Sequence, residues 1–100
     1  MKRGYKIFWT YEAERNLKDI INYLSKNFSE KEIKKFVEKV DRRLNIISLY
    51  PKIFRKSTLK NVHRSVLTKH ITIYYRFENR TIEIISLFDV RQNSNKLEIK

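Results

Sequence analysis

The side chains of this chain that are best suited to acid–base chemistry lie in one stretch, HRSVLTKHITIYYRF, residues 63–77. The stretch contains both histidines, His63 and His70, and the adjacent tyrosines Tyr74 and Tyr75. Imidazole titrates near neutral pH, so either histidine could act as a general acid or base in RNA cleavage, and a tyrosine could stack on a base. On a strand, however, a lone histidine is more often a polar surface residue and a tyrosine more often packs.

Side-chain alternation indicates which of these groups share a face. Residues 70–77 have the pattern of a β-strand, in which successive side chains point to opposite sides of the sheet. One set is apolar and must face the core, which leaves the other set on an open face. The apolar set is Ile71, Ile73, Tyr75 and Phe77, and the open set is His70, Thr72, Tyr74 and Arg76.

Positive charge is concentrated in the same part of the chain. Between Lys52 and Phe77 there are seven Lys or Arg residues and no Asp or Glu, whereas ordinary surfaces mix both signs. The whole chain has 23 Lys and Arg against 11 Asp and Glu, a net charge of +12, which favours a polyanion or an acidic protein as partner. The residues that we assign to binding a target or nucleic acid are Arg55, Lys56, Lys60, Arg64, Lys69, Arg76 and Arg91.

Composition excludes several classes of site. The chain has no cysteine, so neither a disulfide framework nor a thiol nucleophile is available, and two histidines without clustered carboxylates argue against a zinc site. The single glycine excludes a glycine-rich phosphate cradle, so any phosphate must be held by side chains. We therefore expect neither a metal nor a cofactor.

Length and hydropathy bound the organisation of the chain. One hundred residues suit a single domain with one modest core, so we treat 1–100 as one domain with 93–100 as a candidate flexible tail. No apolar run approaches the ~20 residues that cross a bilayer. We expect a cytoplasmic protein without a membrane partner.

The first half of the chain predicts a strand followed by two helices. Residues 5–9, YKIFW, are β-prone, and Thr10 is a good N-cap for a helix that runs to about Lys26. Ser29 with Glu32 has the form of a capping box, and the second helix that it begins is ended near residue 49 by the proline at 51. So short a connection predicts an antiparallel helical hairpin.

The second half predicts three strands. The apolar period changes to about 2 after the proline, and residues 62–68, 70–77 and 81–88 read as strands with a tight turn at 78–80. The fold class is therefore α+β, with order βααβββ and the helical hairpin on one face of a largely antiparallel four-stranded sheet.

These segments together resemble the toxins of the RelE/ParE family, the toxic halves of type II toxin–antitoxin modules. The opening YKIFWTYEAERNLKDIINYL is similar to the family's strand and helix, and SLYPKIFRKS to its helix-ending proline loop. VHRSVLTKHITIYYRF resembles its central strands, and IEIISLFDVRQNSNKL its closing strand and arginine-bearing end. The resemblance implies growth inhibition, a part in plasmid stabilisation, and a hetero-oligomer with an acidic, partly disordered antitoxin that folds along the helices or the sheet.

Two mechanisms are known within the family. RelE-type members cut messenger RNA in the ribosomal A site with basic residues of the sheet and a C-terminal tyrosine, whereas ParE-type members poison DNA gyrase. Arg91 aligns with a RelE-type catalytic arginine, and Arg64 and Lys69 lie on the substrate-facing strand or turn. Thr72 stands where a second arginine is expected, and Leu97 where the tyrosine is expected. These departures favour the gyrase poison.

Two alternatives remain open. If the protein is a ribosome-dependent nuclease, we expect His70, Tyr74 and Arg91 to form its catalytic set, close together on the sheet face turned away from the helices. If it is inactive, it keeps only the contact with the antitoxin. Arg91 could also form an exposed pair with Asp89, worth only ~0–1 kcal/mol, and for Gln92 a functional and a structural role are equally supported.

Overall fold

The computed structural model describes residues 4–59 and 61–91, so the candidate tail at 93–100 lies outside it. The described residues form a sheet of four strands covered on one face by two helices. This confirms the predicted α+β fold and its βααβββ order. The elements are β1 (Lys6–Trp9), α1 (Tyr11–Asn27), α2 (Glu30–Leu49), β2 (His63–Val66), β3 (Ile71–Glu78) and β4 (Thr81–Asp89).

The sheet has the order β1-β4-β3-β2. The pairs β2–β3 and β3–β4 are antiparallel, as predicted, and β1 joins the sheet parallel to β4. The first and last strands of the chain are therefore neighbours. This leaves β1 and β2 at the two edges.

Both helices begin where local sequence signals place them. The Thr10 hydroxyl accepts a hydrogen bond from the Ala13 N–H at 3.1 Å, and Glu12 and Glu14 lie in the first turn of α1, where negative charge is favourable. Ser29 occupies the N-cap of α2, but its side chain makes no capping bond with any described residue. The capping-box pattern therefore predicted the start of α2 correctly, although the described residues do not show the side-chain hydrogen bond of a capping box.

The hairpin between β3 and β4 turns on two residues, Asn79 and Arg80, with φ of 51° and 61°. Two successive residues with positive φ form a turn whose twist matches that of the flanking strands. Glu78 and Thr81 are the last pair of the β3–β4 ladder, directly beside this turn. Further along the hairpin the register shifts between Tyr74 and Tyr75. Such a bulge bends the strand and increases its twist.

The core lies between the helices and the inner face of the sheet. Ile71, Ile73 and Tyr75 are buried there while Thr72 and Tyr74 are only half-buried, so the predicted alternation of β3 is confirmed. The Tyr75 hydroxyl donates a hydrogen bond of 2.7 Å to the backbone oxygen of the proline that follows α2. Other fully buried members of this core include Ile20, Ile47, Ile82 and Ile84.

Candidate functional site

A groove of about 550 Å³ contains two of the three residues predicted as a nuclease set, His70 and Arg91. It lies between α2, the last turns of α1 and the segment that leads into β3, and we call it the α2 groove. Its remaining lining residues are Leu24, Glu32, Lys35, Phe36, Glu38, Lys39, Arg42, Thr68 and Ile71.

His70 lies just before β3 and not within it. The Thr68 hydroxyl accepts hydrogen bonds from the N–H groups of His70 and Ile71 at 3.0 and 3.1 Å, which forms a tight turn. The backbone oxygen of His70 accepts a hydrogen bond from Val90 at 3.0 Å. Because the strand begins one residue later than predicted, the alternation rule does not apply to His70, and its predicted place on the open face is wrong.

Arg91 is held by a buried carboxylate. Its Nε and Nη2 atoms each donate to a different oxygen of Asp89 at 3.1 Å, and its backbone N–H donates to the same carboxylate at 2.9 Å. The guanidinium lies 4.8 Å from the centre of the Tyr23 ring on α1. Arg91 therefore packs on the helical side of the sheet.

The Asp89–Arg91 pair is not the exposed pair considered from sequence. The Asp89 side chain is completely buried and that of Arg91 is 22% exposed. A buried carboxylate is costly unless it is paired and hydrogen-bonded, as this one is. Through its contact with Tyr23, Arg91 links this end of β4 to α1.

Tyr74 lies on the opposite face from the α2 groove. It alternates with the core residues Ile73 and Tyr75, and its neighbours across the sheet are Arg64 on β2 and Ser86 on β4. The structure therefore does not bring Tyr74 together with the groove residues. The expected single cluster on the open face is divided between two sides of the molecule.

The other predicted binding residues are also distributed. Arg64 and Arg76 lie on the outer face, where Arg76 forms an ion pair with Glu83. Arg55 and Lys56 are exposed in the loop that borders β2. Lys69 is exposed in the turn before β3, and Lys60 lies outside the described residues. Their assignment to a target remains a prediction.

His63 is a core-side residue, which its sequence context did not reveal. It is 8% exposed and pairs with Tyr75 across the sheet, with their ring centres 5.5 Å apart. Burial, and secondarily the charge of Lys56, lowers the pKa of this imidazole. A neutral, stacked histidine is therefore the form that the fold favours.

Sequence reasoning missed the basic residues of α2 as part of a site. Lys35, Lys39 and Arg42 line one side of the α2 groove. Their spacing of four and three residues puts them on one helical face, and this signal was present in the sequence. The mixed signs of the helix had instead suggested an ordinary solvated surface.

Within residues 4–59 and 61–91, no group of three histidine or acidic side chains is placed to hold a metal ion. Over the same residues, neither helix combines the length and apolar character that spanning a membrane would require.

Comparison with known proteins identifies the family. A family model described as the ParE toxin of the type II toxin–antitoxin system, parDE, matches residues 7–94. No curated protein gave a significant match.

Solved structures share the fold at low sequence identity. A chain from the chromosomal ParDE toxin–antitoxin system of P. aeruginosa is 16% identical, with a TM-score of 0.75 over 85% of this chain and 95% of that one. The YoeB dimer of Staphylococcus aureus is 19% identical, with a TM-score of 0.62 over 86% of this chain and 97% of that one. A chain of the RelBE2 toxin–antitoxin complex of Mycobacterium tuberculosis is 14% identical, with a TM-score of 0.59 over 87% of this chain and 99% of that one. Since the family model covers most of its length, the chain belongs to the ParE toxin family of type II toxin–antitoxin systems.

Proposed function

We propose that this toxin stops growth by poisoning DNA gyrase through protein contacts. The observation that carries the proposal is the division of His70, Tyr74 and Arg91 between two faces, with Arg91 held by the buried Asp89. The sequence also has no aromatic residue from Asp89 to its end. A tyrosine there is what the resemblance to RelE-type nucleases would require.

The division matters because of what RNA cleavage needs. Attack by a 2′-hydroxyl is accelerated by a general acid or base within hydrogen-bond reach and by cations aimed at the same phosphate. Groups on opposite faces of a sheet cannot meet around one phosphate. A gyrase poison needs no such cluster, and the similarity to a ParDE structure supports this choice.

A ribosome-dependent nuclease is the second candidate. It is favoured by one observation: Arg64 and Tyr74 are direct neighbours on the outer face, with Arg76 further along the same side of β3. A positioned tyrosine and two cations could act on a phosphate there without His70. Under this candidate, Tyr74→Phe abolishes toxicity, whereas under the gyrase proposal the same change leaves growth arrest intact.

Expression of the toxin without antitoxin distinguishes these functions in cells. The gyrase proposal predicts growth arrest while primer extension on translated transcripts shows unchanged message ends. Rapid cleavage of ribosome-bound messages would reject it in favour of the nuclease. Unchanged growth at a verified level of folded protein would leave only the inactive antitoxin-binding module.

We further propose that the α2 groove receives an acidic, amphipathic segment of the antitoxin. The groove has an apolar floor formed by Leu24, Phe36 and Ile71, which suits the apolar face of such a segment. Its cations outnumber its carboxylates, so acidic residues along the segment find complementary charge. Besides Arg91, which is paired with Asp89, the cations are Lys35, Lys39 and Arg42, and the carboxylates are Glu32 and Glu38.

Charge reversal in the groove tests this docking site. The double variant Lys39→Glu, Arg42→Glu is expected to weaken antitoxin binding by about tenfold or more, chiefly by replacing two attractive charges with repulsive ones. Isothermal titration calorimetry with the full antitoxin measures the change. The control is Lys34→Glu, an exposed lysine of the same helix outside the groove. Equal affinity in the double variant and the control would place the antitoxin elsewhere.

A further inference from the structure

We propose that a second cavity, at the edge of β3, binds a nucleoside phosphate, either free or as a unit of a nucleic-acid strand. The cavity has a volume of about 970 Å³ and contains neither His70 nor Arg91. We call it the β3-edge cavity. Its binding does not depend on the proposed gyrase activity, so the two can be tested separately.

The cavity exists because β2 is shorter than β3. β2 begins at His63, opposite Tyr75, whereas β3 continues to Glu78. Beyond Tyr75, the loop between α2 and β2 borders the edge of β3 and supplies the opposite wall. Glu78 pairs with Thr81 beside the two-residue turn, so its backbone N–H and C=O point toward β4. The backbone groups of successive residues point to opposite sides of a strand, so those of Phe77 point toward this edge.

His63 supplies a buried polar atom that has no hydrogen-bond partner among the described residues. Its Nδ1 atom is buried and makes no hydrogen bond with the described residues. Proteins rarely bury an unpaired N–H, and they tolerate an unpaired acceptor somewhat better, so the tautomer with the proton on Nε2 is favoured. The ring lies between Tyr75 and Phe77, whose ring centres are 5.5 and 5.2 Å away. These ring contacts fix the orientation of the His63 side chain, which lines the cavity.

The lining combines cations with aromatic rings. Lys52, Lys56 and Arg76 contribute positive charge, and Phe54 and Phe77 contribute apolar surface. Two carboxylates, Glu78 and Glu83, also line it. Arg76 is paired with Glu83. The charges that remain are those of Lys52 and Lys56 against that of Glu78.

This combination fits a phosphate joined to an aromatic base better than either group alone. Lysine ammonium groups and an imidazole N–H are donors for phosphate oxygens. Phenylalanine rings stack on nucleobases without regard to sequence. The volume lies at the upper end of the ~300–1,000 Å³ of small-molecule sites and exceeds the needs of a bare phosphate ion. Glu78 could accept a hydrogen bond from a sugar hydroxyl or a base amino group.

The two histidines make nuclear magnetic resonance the direct test. The Cε1–H signals of His63 and His70 are resolved in full-length protein, assigned with the variant His70→Gln, and followed while adenosine 5′-monophosphate, a short oligodeoxyadenylate or inorganic phosphate is added at constant ionic strength. We expect the His63 signal to shift with saturation and the His70 signal to stay in place. If neither adenine ligand produces a saturable shift of the His63 signal, the proposal is overturned.

The three probes separate the possible sources. Saturation by the mononucleotide at an affinity equal to or above that for the oligonucleotide supports a free nucleotide as ligand. Markedly tighter binding of the oligonucleotide supports a nucleic-acid strand. Equal affinity for inorganic phosphate and for the better adenine ligand overturns the proposal, because the aromatic lining would then contribute nothing.

A matched pair of lysine variants tests the position of the site. Lys56→Gln is expected to weaken binding of the better ligand by about tenfold, the effect of one charge-assisted hydrogen bond. Lys34→Gln, on the exposed side of α2, removes the same charge and is expected to change the affinity by less than about twofold. Equal losses in both variants would indicate attraction to overall charge and would overturn the proposal. Circular dichroism confirms that each variant is folded.

Discussion

At the scale of single residues, the buried carboxylate of Asp89 determines where Arg91 can act. It accepts hydrogen bonds from the Arg91 backbone and from two guanidinium nitrogens. The desolvation cost of a buried carboxylate is offset only while its cation stays in place. Arg91 is therefore committed to supporting β4 and α1, which is a strong reason against giving it the role of a mobile catalytic arginine.

This commitment predicts an asymmetry between two substitutions. Arg91→Ala leaves Asp89 buried without its cation and with only the backbone N–H of residue 91 as donor, so we expect a loss of about 3 kcal/mol in the free energy of unfolding. Asp89→Asn leaves an arginine that already reaches water, with 22% of its side chain exposed, so we expect a loss of about 1–2 kcal/mol. Urea unfolding monitored by circular dichroism measures both. A larger loss for Asp89→Asn would show that the carboxylate does not depend on Arg91.

Tyr75 gives a second prediction at this scale. Tyr75→Phe leaves the backbone oxygen of Pro51 without its 2.7 Å hydrogen bond, so we expect a loss of about 1 kcal/mol at pH 7. Burial raises the pKa of Tyr75 to about 12, above its value of ~10 in an unfolded chain. The unfolded state then releases this proton first, so the stabilisation is complete below pH 10 and is lost as the pH rises to about 12.

The measurement is the urea midpoint of wild type and Tyr75→Phe at intervals from pH 7 to pH 12. The gap between the two proteins is expected to narrow above pH 10. A gap that stays constant over the whole range would mean that Tyr75 ionises equally in both states.

At the scale of secondary-structure elements, Thr10 joins three of them. Its hydroxyl accepts from the first turn of α1 and donates to the backbone oxygen of Ile84 at 2.8 Å. Its own N–H donates to the same oxygen at 3.2 Å. One short side chain thus fixes the angle between β1, α1 and β4, the elements that support the buried Asp89.

Thr10→Ala should therefore cost more than the loss of a helix cap alone. We expect a decrease of about 1–2 kcal/mol in the free energy of unfolding, at the upper end of the range for caps. The control Thr10→Ser keeps the hydroxyl and should lose less than half of that amount. Thermal unfolding at matched concentration measures both variants, and equal losses would show that the methyl group of Thr10 matters more than its hydrogen bonds.

Local signals predicted the elements, while contacts distant in sequence determined the site. The N-caps Thr10 and Ser29 and the alternation of β3 depend on neighbouring residues, and they were predicted correctly. The start of β3 after His70 depends on the hydroxyl of Thr68, a turn signal that could have been recognised. The burial of Asp89 could not, because the end of β4 packs against α1, a helix far away along the chain.

At the scale of the whole molecule, the fold separates positive charge into distinct surfaces. The α2 groove faces the helical side, Arg64 lies on the outer face, and the β3-edge cavity, which Arg76 also lines, opens beside the loop that precedes β2. Family membership establishes a toxin of this type without choosing its target, since one fold supports several functions. Separate surfaces suit a protein that contacts an antitoxin and a target by different residues.

The most direct test of the gyrase proposal is the supercoiling of relaxed plasmid by purified DNA gyrase. We expect the purified toxin to inhibit supercoiling in proportion to its concentration and the antitoxin to restore it. The variant Tyr74→Phe should inhibit as well as wild type, because no nuclease centre is involved. Normal supercoiling at a toxin concentration that cleaves messages on translating ribosomes would contradict the proposal.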